Sequence, residues 1–235
     1  DYALDIYRTF GFEEYEIFIA TKPEKHIGDD AVWKLATGAL TKALKEKRLE
    51  YKIKEGEGAF YGPKIEFNIK DAISRNWQMG TIQVDFSMPG RFNAEYTDKE
   101  GNKKTPVMVH RAILGSLERF IGVLIEHYSG AFPVWLSPVQ TIIIPVGEKF
   151  NEYGEKVLVA LKNAGIRTEI DKTNETLGKK IRAGKTKKIP YLLVVGEKEE
   201  KENTISVNAM NNKEQEILAL SQFTEKILKE IADKK

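Results

Sequence analysis

The chain has 235 residues, 41% hydrophobic and 31% charged, which is enough for one large domain or two ordinary ones with proper cores. It contains no cysteine, which excludes a disulfide framework and a thiolate metal site. No apolar run approaches the roughly 20 residues that cross a bilayer, and the N-terminus lacks a signal-peptide pattern, so we expect a cytoplasmic protein. Asp1 falls within a segment patterned as ordered, and we expect natural sequence before it.

The first half of the chain predicts strands that follow one another closely. The predicted elements are, in order, a strand at 15–20, an amphipathic helix at 29–48, a glycine-rich turn at 56–63, strands at 64–71 and 77–88, and a hairpin that turns at 98–102. The strand at 64–71 alternates as a half-exposed strand does. Because the connections between the strands are short, we expect an antiparallel sheet backed by helices.

Residues 107–128 predict a strand that leads into a helix. Residues 107–113 alternate with a period of two, so His110 and Ala112 should share one face of a strand that joins the sheet. From Ser116 onward, the apolar residues recur at helical spacing, and the Ser116 side chain can cap the helix.

Arg119 then falls at about the third helical position, where the helix dipole repels a cation. Two partners would explain an arginine there. One is a carboxylate, such as Glu118 or another elsewhere in the fold. The other is an external phosphate, held jointly by the helix N-terminus and the guanidinium group at a spot where Gly115 lets a ligand approach the backbone.

The chain has three histidines, of which His26 and His127 fit structural or solvated roles. His110 is the candidate metal ligand, because it should face the same side as the glycine and arginine of the following turn. Zinc requires about three protein ligands, however, and the sequence offers neither a cysteine nor a second histidine at ligand spacing. From spacing alone, the metal signal is weak.

Strict alternation in the strand at 77–88 places Thr81, Gln83 and Asp85 on one face. Such a face is either exposed to water or lines a polar pocket. Gln78 would reach the same face only if a bulge near Gly80 shifted the register.

After residues 129–138, which carry two prolines and mark the expected domain boundary, the pattern changes. The predicted elements are strands at 140–146, 167–170, 191–196 and 204–208 and helices at 148–165, 174–184 and 212–233. Alternating strands and helices predict a small α/β domain with a largely parallel sheet. We therefore expect two domains, at 1–138 and 139–235.

Six of the ten residues from Lys179 to Lys188 are basic. Such a run is often a solvated helix face. Here it follows Asn174, whose amide can hydrogen-bond base edges, in a domain with no catalytic constellation. The alternative is therefore a surface for RNA or another polyanion.

Several segments resemble the threonyl-tRNA synthetases, a family of class II aminoacyl-tRNA synthetases. They are GEGAFYGPKIEF, WQMGTIQVDF, HRAILGSLERF, FPVWLSPVQ, NAGIRTEID and KKIPYLLVVG. The resemblance implies that 1–138 is the later part of an antiparallel-sheet catalytic domain and that 139–235 is an anticodon-binding domain. The implied function is the ATP-dependent attachment of threonine to tRNA(Thr) through threonyl-adenylate, with Mg²⁺ accompanying ATP and a homodimer as the full-length form.

The resemblance also implies roles for single residues. Arg119 matches an arginine that holds the ATP phosphates, Gln78 a residue of the ATP site, and Lys64 a lysine near the reacting groups. Without the resemblance, Lys64 has a solvated position or a phosphate or carboxylate partner as alternatives. The residues that match the threonine pocket are Tyr61, Thr81, Gln83 and Ala112.

His110 matches one of the three protein ligands of the family's zinc ion, which binds the amino group and hydroxyl of threonine. Rejection of valine follows, because a site built to bond a hydroxyl rejects an isostere without one. The Cys and His that complete this zinc site, and the family's motifs 1 and 2, would lie before Asp1. We therefore expect the chain alone to catalyse no threonine-dependent ATP–pyrophosphate exchange.

In the second domain, Asn174, Arg182 and Glu199 match positions that read the anticodon. Asn208 departs from the family, which usually has an arginine there, and a lost guanidinium contact to a base could cost about 1–3 kcal/mol of discrimination. The sequence thus leaves open a non-catalytic tRNA-binding fragment or paralogue. A nucleotide-binding scaffold without RNA is the third hypothesis.

Overall fold

The structure is a computed structural model that describes residues 1–210, 212 and 214–234. The chain folds as two compact units, Asp1–His127 and Tyr128–Lys235. Among the helices described, none combines the length and the apolar character needed to cross a membrane.

The first unit consists of a sheet, a short ribbon and helices. Its helices are α1 (Tyr2–Thr9), α2 (Asp30–Glu46), α3 (Met88–Arg91) and α4 (Leu117–His127). Its strands are β1 (Tyr15–Ala20), β2 (Lys52–Lys54), β3 (Lys64–Lys70), β4 (Asn76–Asp85), β5 (Tyr96–Thr97), β6 (Lys103–Lys104) and β7 (Met108–Ala112). The sheet has the order β2-β1-β3-β4-β7 and is antiparallel except between β1 and β2, while β5 and β6 form the predicted hairpin. The prediction of an antiparallel sheet that includes the strand before α4 is confirmed.

One face of this sheet is apolar and buried. Ile17 lies opposite Phe67 and Ile19 opposite Ile65, and directly opposite residues point to the same face. The Tyr7 ring of α1 packs edge-on against Phe67. This face is the core of the first unit.

Two expectations about burial in the first unit are wrong. The strand β3 is not half exposed, because its alternating polar residues Glu66 and Asn68 are as buried as its apolar ones. The apolar stripes of the helices are also narrower than the spacing suggested, since Leu35 of α2 and Leu117 of α4 are exposed. Helical spacing identifies residues on one side of a helix, but the extent of the packed stripe depends on what the helix meets.

A bulge interrupts the pairing of β3 with β4. Phe67 pairs with Gly80 and Asn68 pairs with Gln78, so Met79 is the extra residue and its side chain is buried. A Cβ on Gly80 would come within 2.4 Å of the Tyr7 hydroxyl and 2.9 Å of the Phe67 ring. Glycine is therefore required where the bulge passes under α1.

The second unit includes residues 129–138, the segment that marks the predicted domain boundary. Arg167 donates to the carbonyls of Ser137 and Trp135, and Gln140 donates to the carbonyl of Val134. These bonds hold residues 134–137 against the unit that follows them.

Helices cover a mixed sheet in the second unit. The helices are α5 (Asn151–Asn163, preceded by a 3-10 turn at Glu148–Phe150), α6 (Leu177–Thr186), α7 (Glu197–Glu202) and α8 (Leu220–Ala232). The strands are β8 (Thr141–Pro145), β9 (Thr168–Ile170), β10 (Tyr191–Val195), β11 (Thr204–Ala209) and β12 (Gln215–Ala219), in the order β12-β11-β10-β8-β9. The strands β10, β8 and β9 run parallel to one another, while β11 pairs antiparallel with both β10 and β12.

The predicted final helix at 212–233 is wrong in its first part. Residues Gln215–Ala219 form β12, which pairs with β11, and the helix begins only at Leu220. The partner is the preceding strand of the chain, and pairing with it overrides the helix propensity of the segment. Lys213, which the prediction also included, lies outside the described residues.

We predict opposite effects of alanine at two glycines of the first unit. Gly80→Ala should lower the free energy of unfolding by about 1–3 kcal/mol, because the added methyl overpacks the space under Tyr7. The control Gly38→Ala, in the open middle of α2, should raise it by about 0.5–1 kcal/mol. Urea unfolding would be followed in a Trp135→Phe background, so that the first unit's Trp33 and Trp77 report. Equal effects of the two substitutions would contradict the packing argument.

Candidate functional site

The face of the first sheet opposite its apolar core is polar. On three neighbouring strands its side chains form two rows of directly opposite residues, Lys64–Gln83–His110 and Glu66–Thr81–Ala112. Gln83 and Glu66 are buried, whereas His110 and Ala112 on the edge strand β7 are exposed. The structure therefore brings most residues that match the catalytic domain onto one surface.

A buried carboxylate lies between two lysines on this surface. Glu66 is 3% exposed, and its two oxygens accept from Lys54 at 2.8 Å and from Lys64 at 2.6 Å. Burial alone would raise the pKa of Glu66, but the hydrogen bonds from Lys54 and Lys64 outweigh that effect and hold the pKa below its usual value. Lys64 is thus held by an anion rather than solvated, and Lys54 also lies 3.9 Å from the Glu57 carboxylate.

The glycine-rich loop before β3 lies over the end of β4. The Gln83 amide donates to the Gly62 carbonyl at 3.0 Å, and the Phe86 N–H donates to the Tyr61 carbonyl at 3.1 Å. A Cβ on Gly62 would come within 1.9 Å of the Val84 carbonyl oxygen, so only glycine permits this close approach. These contacts place Tyr61 beside the row that contains Gln83.

The bulge in β4 brings Gln78 to the polar surface. Its amide donates to the Thr81 hydroxyl at 2.9 Å, which matches the predicted condition that a bulge near Gly80 must shift the register. Sequence alternation had left Thr81, Gln83 and Asp85 either solvated or in a pocket, and the last two are buried.

Arg119 lies at the N-terminus of α4, as predicted. The Ser116 hydroxyl caps the helix by accepting from the Arg119 N–H at 3.2 Å. The Arg119 guanidinium donates to the Gln78 carbonyl at 2.9 Å, and the described residues give it no carboxylate partner. An exposed guanidinium at a helix N-terminus is a favourable position for binding an anion.

His110 contacts a buried carboxylate across the strand pair. Its Nε2 is 2.7 Å from Asp85 Oδ2, while Asp85 Oδ1 accepts from the N–H groups of Ser87 and Met88. Burial alone would raise the pKa of Asp85, but the bonds from Met88, His110 and Ser87 together lower it.

The donor set of this chain does not make a complete zinc site. Within the described residues, no group of three or more His, Cys, Asp or Glu side chains is arranged to hold a metal. His110 nevertheless has an arrangement typical of a zinc-binding histidine, one of whose ring nitrogens is fixed by a carboxylate.

Three residues of the polar surface were missed by sequence reasoning. Lys54 and Glu66 form the ion cluster with Lys64, and the buried Asn68 Oδ1 lacks a hydrogen-bond partner among the described residues. The signal was present for two of them, because Glu66 and Asn68 share the face of Lys64 by simple alternation. Lys54 comes from β2, and no local pattern pointed to it.

In the second unit, the carboxyl ends of the parallel strands define one edge of the sheet. Asn174 lies in the loop after β9, and Glu199 lies in α7 directly after β10. The Glu199 carboxylate accepts from the Gly196 N–H at 3.0 Å and so caps its own helix. Arg182 is exposed on α6, while Asn208 lies on β11 opposite Leu192, farther from this edge. Loops at such an edge are a common place for ligand binding.

The basic run at 179–188 does not form one continuous charged surface. Lys180 is buried, Lys179 pairs with Glu175, and Lys188 donates to the Ser129 carbonyl. Lys185 and Lys187 are exposed, as is the neighbouring Arg182. Only part of the run is therefore available for either predicted role, because the inner side of α6 packs on the sheet.

Family models match both halves of the chain. The model for the tRNA synthetase class II core domain (G, H, P, S and T) matches residues 2–128, which is more than half of the chain. The chain belongs to the class II tRNA synthetases. A second model, for an anticodon binding domain, matches residues 140–230.

The relatives of this synthetase chain agree with the resemblance found in its sequence. It is 51% identical to a threonine–tRNA ligase of Carboxydothermus hydrogenoformans over 98% of the chain, and 52% identical to one of Caldanaerobacter subterraneus subsp. tengcongensis over 97%. It covers 36% and 35% of those two proteins, so it spans about a third of their length.

Solved structures show the same fold. The RNA binding domain of threonyl-tRNA synthetase from Cryptosporidium parvum Iowa II superposes with a TM-score of 0.90 at 39% identity, covering 97% of this chain and 58% of that one. Prolyl-tRNA synthetase from Cryptosporidium parvum superposes with a TM-score of 0.64 at 22% identity, over 99% of this chain and 45% of that one, and shows the fold alone. The expected fold, a partial class II core followed by an anticodon-binding domain, is confirmed.

The lowered pKa of Asp85 predicts a pH-dependent effect of Asp85→Asn. The ionised carboxylate stabilises the folded synthetase chain above its ordinary pKa, near 3.8, and this contribution is lost as pH falls through the lower folded-state pKa. The stability difference between the native chain and Asp85→Asn should therefore shrink as pH falls below about 4. Urea unfolding between pH 3 and 7 measures it.

His110→Ala is the graded control, since it removes one of the three donors to Asp85. The stability difference between the native chain and His110→Ala should also shrink over the same pH range, but by less than the difference for Asp85→Asn. A stability difference between the native chain and Asp85→Asn that is the same at pH 3 and pH 7 would count against the assignment.

Proposed function

We propose that this chain is the C-terminal part of a cytoplasmic threonine–tRNA ligase that joins threonine to ATP and then transfers it to tRNA(Thr). Residues 1–138 contribute part of the catalytic domain and residues 139–235 read the anticodon. The observation that carries the proposal is the polar surface of the first sheet, where residues matching ATP, threonine and zinc positions lie in adjacent rows. In the full-length protein, we expect a homodimer whose contacts lie largely in motif 1.

On this proposal, Arg119 and Gln78 bind ATP. The guanidinium of Arg119 is anchored by one N–H group to the Gln78 carbonyl, which leaves its other donors for phosphate oxygens. Mg²⁺ accompanies the ATP. Lys64, held by Glu66, adds positive charge near the reacting groups. Catalysis would then come from electrostatic stabilisation at the α-phosphate rather than from a covalent enzyme intermediate.

The threonine pocket would be formed by Tyr61, Thr81, Gln83 and Ala112. Their positions favour a small polar substrate, because Thr81 and Ala112 lie directly opposite each other and Ala112 leaves space above β7. Gln83 is fixed by its bond to the Gly62 carbonyl, so it can present its remaining polar atoms in one orientation.

His110 would hold one of three bonds to a zinc ion, with the other two ligands supplied by residues outside this chain. The ion would act as a Lewis acid that binds the amino group and hydroxyl of threonine. Asp85 orients the His110 ring from the opposite nitrogen. The buried Asp85 therefore matters to the site without touching the metal or the substrate.

In the second unit, Asn174, Arg182 and Glu199 would read the anticodon. Asn174 and Arg182 are exposed, and an exposed amide and guanidinium can bond base edges. Glu199 contributes less freely, because one of its oxygens already accepts from Gly196. Lys185 and Lys187 would add contacts to phosphates.

The second candidate function is a non-catalytic tRNA-binding protein. Asn208 favours it, because an amide replaces the arginine that is usual in the family at this position. The upstream reading frame of the gene distinguishes the two functions. The ligase requires that it encode motif 2 and the two missing zinc ligands, whereas a non-catalytic protein does not.

We predict that Arg119→Met in the full-length protein lowers kcat/KM for threonine-dependent ATP–pyrophosphate exchange by about 10²–10³-fold, because it removes a donor to the phosphates. Arg8→Met is the control, since Arg8 is exposed on α1 and pairs with Asp5. The 235-residue chain alone should give no exchange. Exchange within twofold of the native rate in Arg119→Met would exclude the phosphate role.

We predict that His110→Ala in the full-length protein reduces bound zinc from about one ion per chain to nearly none, since two remaining ligands hold zinc poorly. Atomic emission of the purified, dialysed protein measures the metal directly. His127→Ala is the control, because the His127 ring packs against Phe12. Unchanged zinc content in His110→Ala would rule out His110 as a ligand.

A further inference from the structure

Lys180 is a buried lysine in the second unit whose hydrogen-bond partners are backbone carbonyls. It is 6% exposed, whereas Lys179 and Arg182 on the same helix are exposed. Its ammonium group donates to the carbonyl of Pro145 at 3.3 Å and to that of Asp171 at 3.2 Å, and the part of the chain that is described offers it no ion pair. Burying a charge without a counterion costs free energy unless hydrogen bonds compensate for the lost water.

The two carbonyls lie where two parallel strands end. Pro145 is the last residue of β8, and Asp171 follows the last residue of β9. Lys180 therefore joins the starts of two loops that leave the same edge of the sheet. An apolar side chain of the same length would fill the space on α6 but would leave both carbonyls without this donor.

From Asp171, hydrogen bonds continue to the loop that carries Asn174. The Asp171 carboxylate accepts from the N–H and from the hydroxyl of Thr173. This turn sets the direction of the chain immediately before Asn174. Lys180 thus fixes one end of the segment 171–174 and the Asp171 side chain fixes its middle.

From Pro145, a second path leads toward Glu199. The Val146 N–H, next to Pro145, donates to the Val195 carbonyl at the end of β10. The Gly196 N–H that follows Val195 donates to the Glu199 carboxylate. The ammonium group of Lys180 therefore contacts the segment that carries Asn174 directly and is linked to the segment that carries Glu199 through Pro145 and Val146, while its own helix carries Arg182.

We propose that Lys180 is the positioning residue of the anticodon site: it holds the loops of Asn174 and Glu199 in register with Arg182 without touching the RNA. This inference rests on the proposed function of the second unit. It assigns the buried lysine a role in discrimination between anticodons, while the exposed lysines of α6 contribute to affinity for any tRNA.

The test compares Lys180→Met with Lys185→Met in the 235-residue chain. Each variant is titrated with a tRNA(Thr) transcript and with the same transcript carrying a different anticodon, over a series of salt concentrations. Lys180→Met should reduce the ratio of the two affinities by about tenfold and leave the salt dependence of binding unchanged. Lys185→Met, which removes an exposed charge, should weaken both complexes equally and reduce the slope against log salt by about one.

Thr173→Ala is the second variant, in case Lys180→Met does not fold. Thr173 is exposed, and the substitution weakens the turn at Asp171 by removing the hydroxyl bond while the N–H bond stays. It should lower the affinity ratio in the same direction by a smaller factor. If Lys180→Met folds and keeps the native affinity ratio, the inference is overturned. If Lys180→Met does not fold, a native affinity ratio in Thr173→Ala overturns it. A native chain that binds both transcripts equally would instead refute anticodon reading, and the inference with it.

Discussion

The bulge at Met79 and Gly80 is the constraint on which the first unit depends. One extra residue in β4 turns Gln78 to the face of Thr81, Gln83 and Asp85, which regular alternation would not allow. The same displacement presents the Gln78 carbonyl to Arg119 at the start of α4. Because Gly80 leaves room for Tyr7 and Phe67, the bulge is fixed by packing on the apolar face while it organises the polar one.

Local patterns predicted most of the elements because those elements are determined locally. The strand β1, the Asp29-capped helix α2 and the hairpin at 98–102 follow from alternation, capping and turn chemistry. Alternation fails to say what covers a face, so the burial of β3 could not be foreseen. The strand β12 also escaped prediction, because it exists through its pairing with β11 and not through its own pattern.

The residues of the candidate site could be predicted where they belong to a recognisable motif. They could not be predicted where only a tertiary contact places them in the site. Lys64, Gln83 and His110 belong to segments that resemble a family, and the sheet places them in one row. Lys54 belongs to no such segment and reaches Glu66 only because β2 adds to the sheet beside β1. Likewise, no feature of the basic run identifies the partners of Lys180. Helical spacing puts it on the inner side of α6, but its partners are backbone atoms of distant strands.

Glu66 and Lys180, one buried charge in each unit, are stabilised by different means, and the difference matches what each unit has to do. Glu66 is neutralised by Lys54 and Lys64, so the buried carboxylate adds no negative charge to a surface that is suited to a polyphosphate. Lys180 has carbonyl partners only, so its hydrogen bonds restrain backbone and its charge is shielded from the surface. A substrate phosphate is attracted by charge, whereas a base is recognised by the placement of polar groups. The first unit therefore cancels the charge of its buried carboxylate beside the proposed phosphate-binding surface, and the second uses a buried ammonium group to hold the loops whose side chains are exposed.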